Sequence, residues 1–265
     1  MPKATSERDL MTNERRGAIV EELRQAGSVR VGPLAERFGV SAVTIRSDLA
    51  ALEKENLLVR DHGGALPASS GRTITSLLAV ETRTRLQEDE KQRIARAAAA
   101  TVRPGETIFL DAGTTAVQMV PFLKAVLPLT IVTNAVNVAL TAASELSAEV
   151  ILLGGVFNRE SSSNIGAMAE RALGDFLVDR LFLGTQAADI EHGLTDTTLG
   201  IAQIKRAMIR SAREVVLLAD STKWNTTGSI KVAPLSALHR IISDAGLPSR
   251  LQKKVTSLGI QLSLV

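Results

Sequence analysis

Hydrophobic residues recur at helical spacing through residues 41–55. Ile45, Leu49 and Leu52 fall on one stripe of this segment, which predicts an amphipathic helix with these three side chains packed inward. Ser41 is suited to begin the helix, because a serine hydroxyl can accept from the unpaired backbone amides of the first turn. The opposite face carries small, polar and basic side chains and could approach another surface closely, although an ordinary surface helix would show the same pattern.

A shorter helix is predicted just before it, at residues 32–38. Pro33 suits the first helical turn, and Gly39 ends the helix. The turn from Gly39 to Ser41 is only long enough for two helices to cross sharply, which is typical of a helix-turn-helix. Residues 56–66 then read as a strand, a glycine turn and a return strand, which predicts a hairpin wing directly after the second helix.

This arrangement predicts a DNA-binding domain in residues 12–66, after a disordered leader at residues 1–11. Contacts to DNA are expected from the first turn of a helix at residues 13–26, from the outward face of the helix that begins at Ser41, and from the wing. For the arginines at 15 and 16 and the histidine at 62, a solvated surface side chain is the alternative interpretation. The predicted DNA-binding residues are Arg15, Arg16, Ser41, Val43, Thr44, Arg46, Ser47, Lys54, Arg60 and His62.

Five short segments in this region resemble a known protein family, in order and almost without gaps. They are ERR at 14–16, LAERFGVS at 34–41, TIRSDL at 44–49, LE at 52–53 and HGGA at 62–65. Together they are similar to the winged helix-turn-helix of the DeoR family of bacterial transcription regulators. One departure is Ser47, where the family commonly has a second basic residue. The operator sequence of other members therefore does not transfer to this chain.

The rest of the chain predicts a second domain. Residues 67–76 are rich in Pro, Ser, Gly and Thr, which indicates a linker. In residues 77–265 strand-like and helix-like segments alternate, which predicts an α/β domain with a mainly parallel sheet covered on both faces. Strands are predicted at 107–110, 130–133, 150–153, 180–183, 214–218 and 240–242, and helices at 88–102, 115–124, 135–145, 167–176 and 199–212.

Several of these predicted strands end in polar residues or glycine. Parallel sheets bind ligands outside the carboxyl ends of their strands. At the first such end, Asp111 precedes a flexible turn and two threonines, where free backbone amides at a helix start favour a phosphate. Lys223 would add positive charge, and Asp111 or Asp220 could accept from sugar hydroxyls. Taken singly, a plain loop, a cap or a solvated lysine explains each signal. The predicted effector-binding residues are Asp111, Gly113, Thr114, Thr115, Thr133, Asn134, Gly154, Gly155, Gly184, Asp220 and Lys223.

The same strand ends, taken together, resemble the sensor domain of the DeoR family. The matching segments are DAGTT at 111–115, TN at 133–134, LLGG at 152–155, NIG at 164–166 and LADSTK at 218–223. The family pattern usually has serine where Ala112 stands, so a ligand bond from that side chain is lost here. The resemblance implies a fold similar to ribose-5-phosphate isomerase and CoA transferases. It also implies a phosphorylated sugar bound as an effector and not as a substrate.

Composition narrows the remaining chemistry. The chain has no cysteine and only three histidines, far apart in sequence, so we expect no metal site, no cofactor and no catalytic residues. No apolar run approaches the roughly 18 residues of a membrane span, and a cytoplasmic location is expected. Lys205, Arg206 and Arg210 form a basic helical face that could attract a phosphate but that we expect to be solvated. Trp224 is expected in the core, and closure over a ligand is the alternative.

The sequence therefore predicts a DNA-binding repressor of a sugar catabolism operon, controlled by a phosphorylated sugar. Residues 1–66 contain ten Lys or Arg and ten Asp or Glu, so a homo-oligomer, a dimer or tetramer, is expected to supply much of the DNA affinity. The alternative is a sugar-phosphate-binding protein, or an isomerase-like enzyme, whose helix-turn-helix contacts other proteins. Neither the sugar, the operator sequence nor the choice between repression and activation can be deduced from these patterns.

Overall fold

The computed structural model of the protein describes residues 7–26, 28–54, 57–61, 63–67, 72–74 and 80–265. The chain divides into two compact units, Met1–Arg72 and Thr73–Val265. The division falls within the segment that the sequence predicts as a linker. Of that segment, residues 68–71 and 75–76 lie outside the described residues.

The first unit contains a helix-turn-helix followed by a hairpin. Its first described helix begins at Glu7, six residues before the predicted start at residue 13, so residues 7–11 of the predicted disordered leader are helical. No glycine or proline interrupts residues 7–16, and an acid at position 7 favours a helix start. The described elements are α1 (Glu7–Ala26), β1 (Val29–Arg30), α2 (Val31–Phe38), α3 (Ala42–Lys54), β2 (Leu58–Asp61) and β3 (Gly64–Pro67).

The core of this unit contains the stripe that the sequence predicts. Ile45, Leu49 and Leu52 of α3 are at most 2% exposed, and they pack with Ile19 and Leu23 of α1. The three strands form an antiparallel sheet in the order β1-β3-β2, which holds the hairpin against the helices. The packing fixes α3 with its opposite face outward.

The second unit alternates strands and helices, as expected. Its helices are α4 (Val80–Arg85), α5 (Glu88–Ala99), α6 (Val136–Glu145), α7 (Ala167–Leu173), α8 (Leu199–Arg210) and α9 (Ser249–Ser257), with 3-10 helices at Val117–Val126, Ser221–Lys223 and Leu235–Ala237. Its strands, together with the short β4 (Arg72–Thr73) at the division between the units, are β5 (Thr107–Leu110), β6 (Thr130–Thr133), β7 (Glu149–Leu152), β8 (Val156–Asn158), β9 (Ser163–Ile165), β10 (Val178–Gly184), β11 (Ala187–Asp189), β12 (Gly193–Asp196), β13 (Ala212–Leu218), β14 (Thr226–Thr227), β15 (Ile230–Ala233), β16 (Arg240–Ser243) and β17 (Gln261–Leu264).

A seven-stranded sheet in the order β17-β16-β13-β10-β5-β6-β7 forms the centre of this unit. Every pair of neighbouring strands in it is parallel, which confirms the predicted fold class. Alternate residues of β5 face opposite sides: Ile108 and Leu110 pack in one core cluster with α5 and α6, whereas Phe109 packs in the other with α7 and α8. The sheet is therefore covered on both faces, and its carboxyl ends lie along one edge.

Most differences from the predicted elements lie at their ends. The helix predicted at 115–124 is a 3-10 helix at Val117–Val126, which contains Pro121, a residue without a backbone amide to donate. The helix predicted at 199–212 ends at Arg210, because Ala212 already begins β13. Among the elements that are not predicted are the edge strand β17 and the helices α4 and α9, each of nine residues or fewer.

Candidate functional site

The first candidate site is the outward face of α3. Ser41 Oγ accepts from the backbone amide of Thr44 at 3.1 Å, so this hydroxyl caps the helix, as predicted, and it lies 2.9 Å from Thr44 Oγ1. Gly39 adopts φ +61° in the turn, a left-handed conformation that glycine accepts without strain. Val43 is 70% exposed, and Arg46 and Ser47 are also exposed. This face can therefore reach a groove.

Two other predicted DNA contacts are engaged inside the unit. The Nε atoms of Arg15 and Arg16 donate to the two carboxylate oxygens of Asp48 at 2.6 and 3.0 Å. Asp48 belongs to α3 and is 2% exposed, so this pair of bonds holds α1 against α3. The arginine side chains are 14% and 27% exposed, and only the remaining guanidinium nitrogens can contact phosphate.

The wing is attached to the same helix. Arg60 donates to Glu53 through its backbone amide and its guanidinium Nε, while its side chain stays 48% exposed. Lys54 is the last residue of α3. Its side chain lies outside the described part of the structure, and so does the whole of His62. The predicted contact at His62 therefore has no structural counterpart here.

The second candidate site is a cavity of about 150 Å³ in the second unit, beyond the carboxyl ends of the central strands. A water molecule needs about 10–15 Å³ on such a scale, so the cavity has room for a small metabolite. Of the predicted effector-binding residues, those that line it are Asp111, Gly113, Thr114, Thr115, Asn134, Gly184, Asp220 and Lys223. Three others do not line it: Thr133, Gly154 and Gly155.

Thr133 and the two glycines have local structural roles. The Thr133 hydroxyl donates to the carbonyl of Leu110 at 2.7 Å and accepts from the amide of Ala135 at 3.0 Å, which joins the ends of β5 and β6. A Cβ at Gly155 would lie 2.7 Å from the carbonyl of Ile165, and one at Gly154 would lie 3.5 Å from Met168 Sδ. Gly155 therefore permits the close approach of the β8–β9 hairpin, whereas a Cβ at Gly154 would make only an ordinary van der Waals contact.

A buried lysine that the sequence analysis placed in solvent lies at the centre of the cavity wall. Lys205 is 8% exposed, so its expected solvation is wrong. Its Nζ donates to the carbonyl of Gly184 at 2.9 Å and lies 3.6 Å from Asp111 Oδ2 and 3.7 Å from Asp196 Oδ2. Ile201 and Met208 occupy the same stripe of α8 at positions i−4 and i+3, and this spacing was the available signal that Lys205 faces inward.

Asp111 organises this part of the wall. Its Oδ1 accepts from the amide of Ala112 at 2.8 Å, and its Oδ2 accepts from the amide of Gly184 at 3.0 Å. The carboxylate thus joins the loops after β5 and β10, and it is 2% exposed. Because its two oxygens already accept from backbone amides, its first role is to shape the cavity.

A second group of charges includes Lys91, which the sequence analysis missed. Its Nζ donates to the carbonyls of Arg83 and Leu86, and the residue is 3% exposed. Burial lowers the pKa of Lys91 to about 8; Asp220 raises it, and Lys223 and Arg83 lower it further. All four of these charged residues line the cavity, so one part of its wall carries an excess of positive charge.

The loop after β5 offers free donors. The backbone amides of Thr114 and Thr115, which precede the 3-10 helix at Val117–Val126, have no acceptor among the described residues. Their side chains are 5% and 7% exposed, and neither hydroxyl has a hydrogen-bond partner in the described part of the chain. Unpaired amides at a helix start bind anions.

Three further polar residues line the cavity without having been predicted. Ser161 and Ser163 have hydroxyl oxygens 2.8 Å apart, and Gln186 accepts through Oε1 from the hydroxyl of Thr197 at 3.0 Å. No sequence motif marks them, because they are brought to the cavity by the β8–β9 hairpin and the loop after β10.

Neither a metal cluster nor a membrane-spanning helix is found where the chain is described. Within those residues, no group of three or more His, Asp or Glu side chains is placed to hold a metal ion. None of the helices described is long and apolar enough to cross a bilayer.

Comparison with known proteins gives two family matches. Residues 15–70 match the DeoR-like helix-turn-helix domain, and residues 86–245 match the DeoR C-terminal sensor domain. The glycerol-3-phosphate regulon repressor of Escherichia coli is 34% identical over 95% of this chain and 98% of its own length. The HTH-type transcriptional repressor GlcR of Bacillus subtilis is 31% identical over 87% of this chain and 88% of its own.

Among solved structures, ribose-5-phosphate isomerase A of Methanocaldococcus jannaschii overlaps with 52% of this chain and 55% of its own, with a TM-score of 0.39 and 19% identity.

Proposed function

The chain belongs to the DeoR family of transcription regulators, and we propose that it represses a sugar catabolism operon under the control of a phosphorylated sugar. The first unit would bind operator DNA, and the second would bind the effector. Binding of the effector would shift the population of DNA-competent arrangements, so the two affinities must be reciprocally coupled. The names of the relatives, a glycerol-3-phosphate regulon repressor among them, support this proposal.

The proposed DNA contacts lie on α3 and the wing. Val43, Arg46 and Ser47 point outward on the first two turns of α3, where an apolar methyl group, a guanidinium and a hydroxyl can meet base edges or phosphates. Arg60 would contact the backbone beside the groove. One such unit reads few base pairs, so we propose that a homo-oligomer presents two or more copies.

The observation that carries the effector proposal is the set of unpaired donors in the cavity. The amides and hydroxyls of Thr114 and Thr115 lack partners among the described residues, and Lys223 lines the same cavity. A phosphate would accept from these donors, and the nearby positive charge of Lys91 and Lys223 would favour its dianion. The proposed place of action is the cytoplasm, where operator DNA and phosphorylated sugars are found together.

Binding to the DNA upstream of the chain's own gene tests this function. Fluorescence anisotropy should show salt-dependent binding, with an affinity that changes when a cognate sugar phosphate is added. Arg46→Ala should weaken the complex, whereas Arg93→Ala, a matched change in the second unit, should not. Binding that is insensitive to salt, or that no phosphate ester alters, would contradict the proposal.

We further propose that the cavity binds its ligand without converting it. Both carboxylate oxygens of the buried Asp111 accept from backbone amides, so this acid is engaged in structure. Incubation with a panel of sugar phosphates should give no product. Multiple turnovers that disappear in Asp111→Asn would favour an isomerase instead.

A further inference from the structure

Three buried polar atoms in the wall of the cavity have no hydrogen-bond partner among the described residues. They are Asn134 Oδ1, Asp196 Oδ2 and Gln186 Nε2. Buried polar groups in folded proteins are nearly always paired, so three unpaired atoms around one cavity call for a missing partner. All three residues line the cavity.

Their orientations are set by their other bonds. Asn134 Nδ2 donates to the carbonyl of Asn164 at 3.0 Å, which assigns Oδ1 as the free acceptor. Gln186 Oε1 accepts from the Thr197 hydroxyl, and Nε2 is the atom of this side chain without a partner among the described residues. Asp196 Oδ1 accepts from the amides of Thr197 and Thr198 at 2.8 and 3.1 Å, which leaves Oδ2, 3.7 Å from Lys205 Nζ, as a second acceptor without a hydrogen bond.

The pattern is thus two acceptors and one donor. We propose that Asn134, Gln186 and Asp196 form a subsite that reads the hydroxyl groups of the effector. A hydroxyl can both donate and accept, so two or three neighbouring hydroxyls of a sugar or polyol chain satisfy the set. A carboxylate or a second phosphate can only accept, and it would leave the two acceptors unpaired.

The charged side chains of the cavity wall also favour a ligand that carries hydroxyl groups and a single phosphate. Asp111, Asp196 and Lys205 form one compact group, with one more acid than base. Lys91, Lys223, Arg83 and Asp220 form another, with more bases than acids. The first group would repel a second anionic end, and the second would attract the phosphate. The subsite therefore favours a hydroxylated monophosphate over a bisphosphate or a phosphorylated acid.

This inference rests on the proposed function, and its test separates the two. The full chain would be titrated with inorganic phosphate, glycerol 3-phosphate, a panel of pentose and hexose monophosphates, and a hexose bisphosphate, by calorimetry and by the fluorescence of Trp224. Trp224 follows Lys223 and is the only tryptophan in the sequence. At least one sugar monophosphate should bind about tenfold or more tighter than inorganic phosphate and than the bisphosphate.

Isosteric variants should remove this margin. Gln186→Glu replaces the free donor by an acceptor, and Asp196→Asn replaces a free acceptor by a donor, while both keep the bond to Thr197. Each should lower the affinity for the sugar monophosphate about tenfold or more and leave that for inorganic phosphate unchanged. Gln118→Glu is the matched control, because Gln118 Oε1 is also buried and unpaired among the described residues but does not line the cavity.

Three outcomes would overturn the inference. The first is an unchanged sugar-phosphate affinity in both folded variants, and the second is an equal loss for inorganic phosphate. The third is a wild-type chain that binds inorganic phosphate and every sugar phosphate equally. If neither phosphate nor any ester binds, the proposed effector function fails as well. Circular dichroism and thermal unfolding identify a variant that has not folded, and the other variant then decides.

Discussion

Arg60 of the wing and Glu53 of α3 share two hydrogen bonds: the Arg60 backbone amide and guanidinium Nε donate to the two carboxylate oxygens at 3.0 and 2.8 Å. Glu53→Ala removes both bonds, whereas Arg60→Ala removes one bond together with a charge. Both substitutions should weaken DNA binding, about three- to fivefold, as expected for a half-exposed ion pair.

The dependence of binding on salt distinguishes the two roles. Arg60→Ala should reduce the slope of log affinity against log salt by about 1, since a phosphate contact is lost, whereas Glu53→Ala should leave it unchanged. Anisotropy titrations over a series of salt concentrations provide this slope. An unchanged slope in Arg60→Ala would mean that Arg60 only positions the wing.

Asp48 should contribute strongly to the stability of the first unit. Asp48→Asn replaces one carboxylate oxygen by an NH2 group, so one of Arg15 and Arg16 then faces a donor and loses its acceptor at a 2% exposed position. We expect a loss of about 2–4 kcal/mol in the free energy of unfolding, reduced from fully buried pairs because the arginines are partly exposed.

Glu22→Gln is the control for Asp48, because Glu22 pairs with Arg37, whose side chain is 58% exposed. It should cost less than about 1 kcal/mol. Urea unfolding followed by circular dichroism measures both variants. Equal losses of unfolding free energy in the two variants would show that the ion pairs of Asp48 stabilise the unit no more than an exposed ion pair does.

Substitutions at two threonines, Thr133 and Thr114, should separate an effect on stability from an effect on ligand binding. Thr133→Val removes two buried hydrogen bonds and should lower the free energy of unfolding by about 1–3 kcal/mol, with phosphate affinity retained. Thr114→Val removes a hydroxyl that has no partner in the described chain. It should leave stability within about 0.5 kcal/mol and weaken phosphate binding about tenfold. If Thr133→Val lost phosphate binding and Thr114→Val retained it, the structural role assigned to Thr133 and the ligand-binding role assigned to Thr114 would both be wrong.

Lys91 should make the stability of the second unit depend on pH. Its pKa is lowered from 10.5 to about 8 in the folded chain, so between these values the unfolded chain binds more protons. The free energy of unfolding should therefore rise as pH increases from about 8 to about 10.5, and the penalty for burying the ammonium is present in full below about 8. The chain has no tyrosine or cysteine, so lysines are the side chains that ordinarily titrate in this window.

In the Lys91→Met variant, the free energy of unfolding should rise less than in the wild type as the pH increases from about 8 to about 10.5. Lys124→Met is the control, because Lys124 is 57% exposed and pairs with Glu145 at 3.6 Å. Urea unfolding at the two ends of the window measures the difference. A wild-type rise equal to that of Lys91→Met would show that Lys91 does not titrate there.

Local patterns were sufficient for the elements and for part of the cavity. The stripe of Ile45, Leu49 and Leu52 predicts the buried face of α3, because one periodic segment determines which side chains share a face. In the same way, the apolar runs after residue 106 predict the central parallel strands, and the polar residues that follow them predict eight of the residues that line the cavity.

Long-range pairing lay beyond the reach of local patterns. The sequence near Arg15 and Arg16 indicates no partner for their charges. The packing of α1 on α3 places Asp48 where both arginines can donate to it. Thr133 and Asn134 are neighbours in sequence, yet the hydroxyl of the first joins two strands while the second lines the cavity. Adjacent residues at a strand end point in different directions, and here only the second faces the cavity.

The sequence by itself determined the family, with its helix-turn-helix domain and its sensor domain, because these depend on residues close together in the chain. Only the tertiary structure decided the chemistry of the cavity. Lys91, Gln186, Asp196 and Lys205 come from separate elements, and their charges and free atoms acquire meaning through burial beside one another. Burial removes water as a competing partner, so an unpaired atom in that wall implies a ligand where the same residue on the surface would imply none.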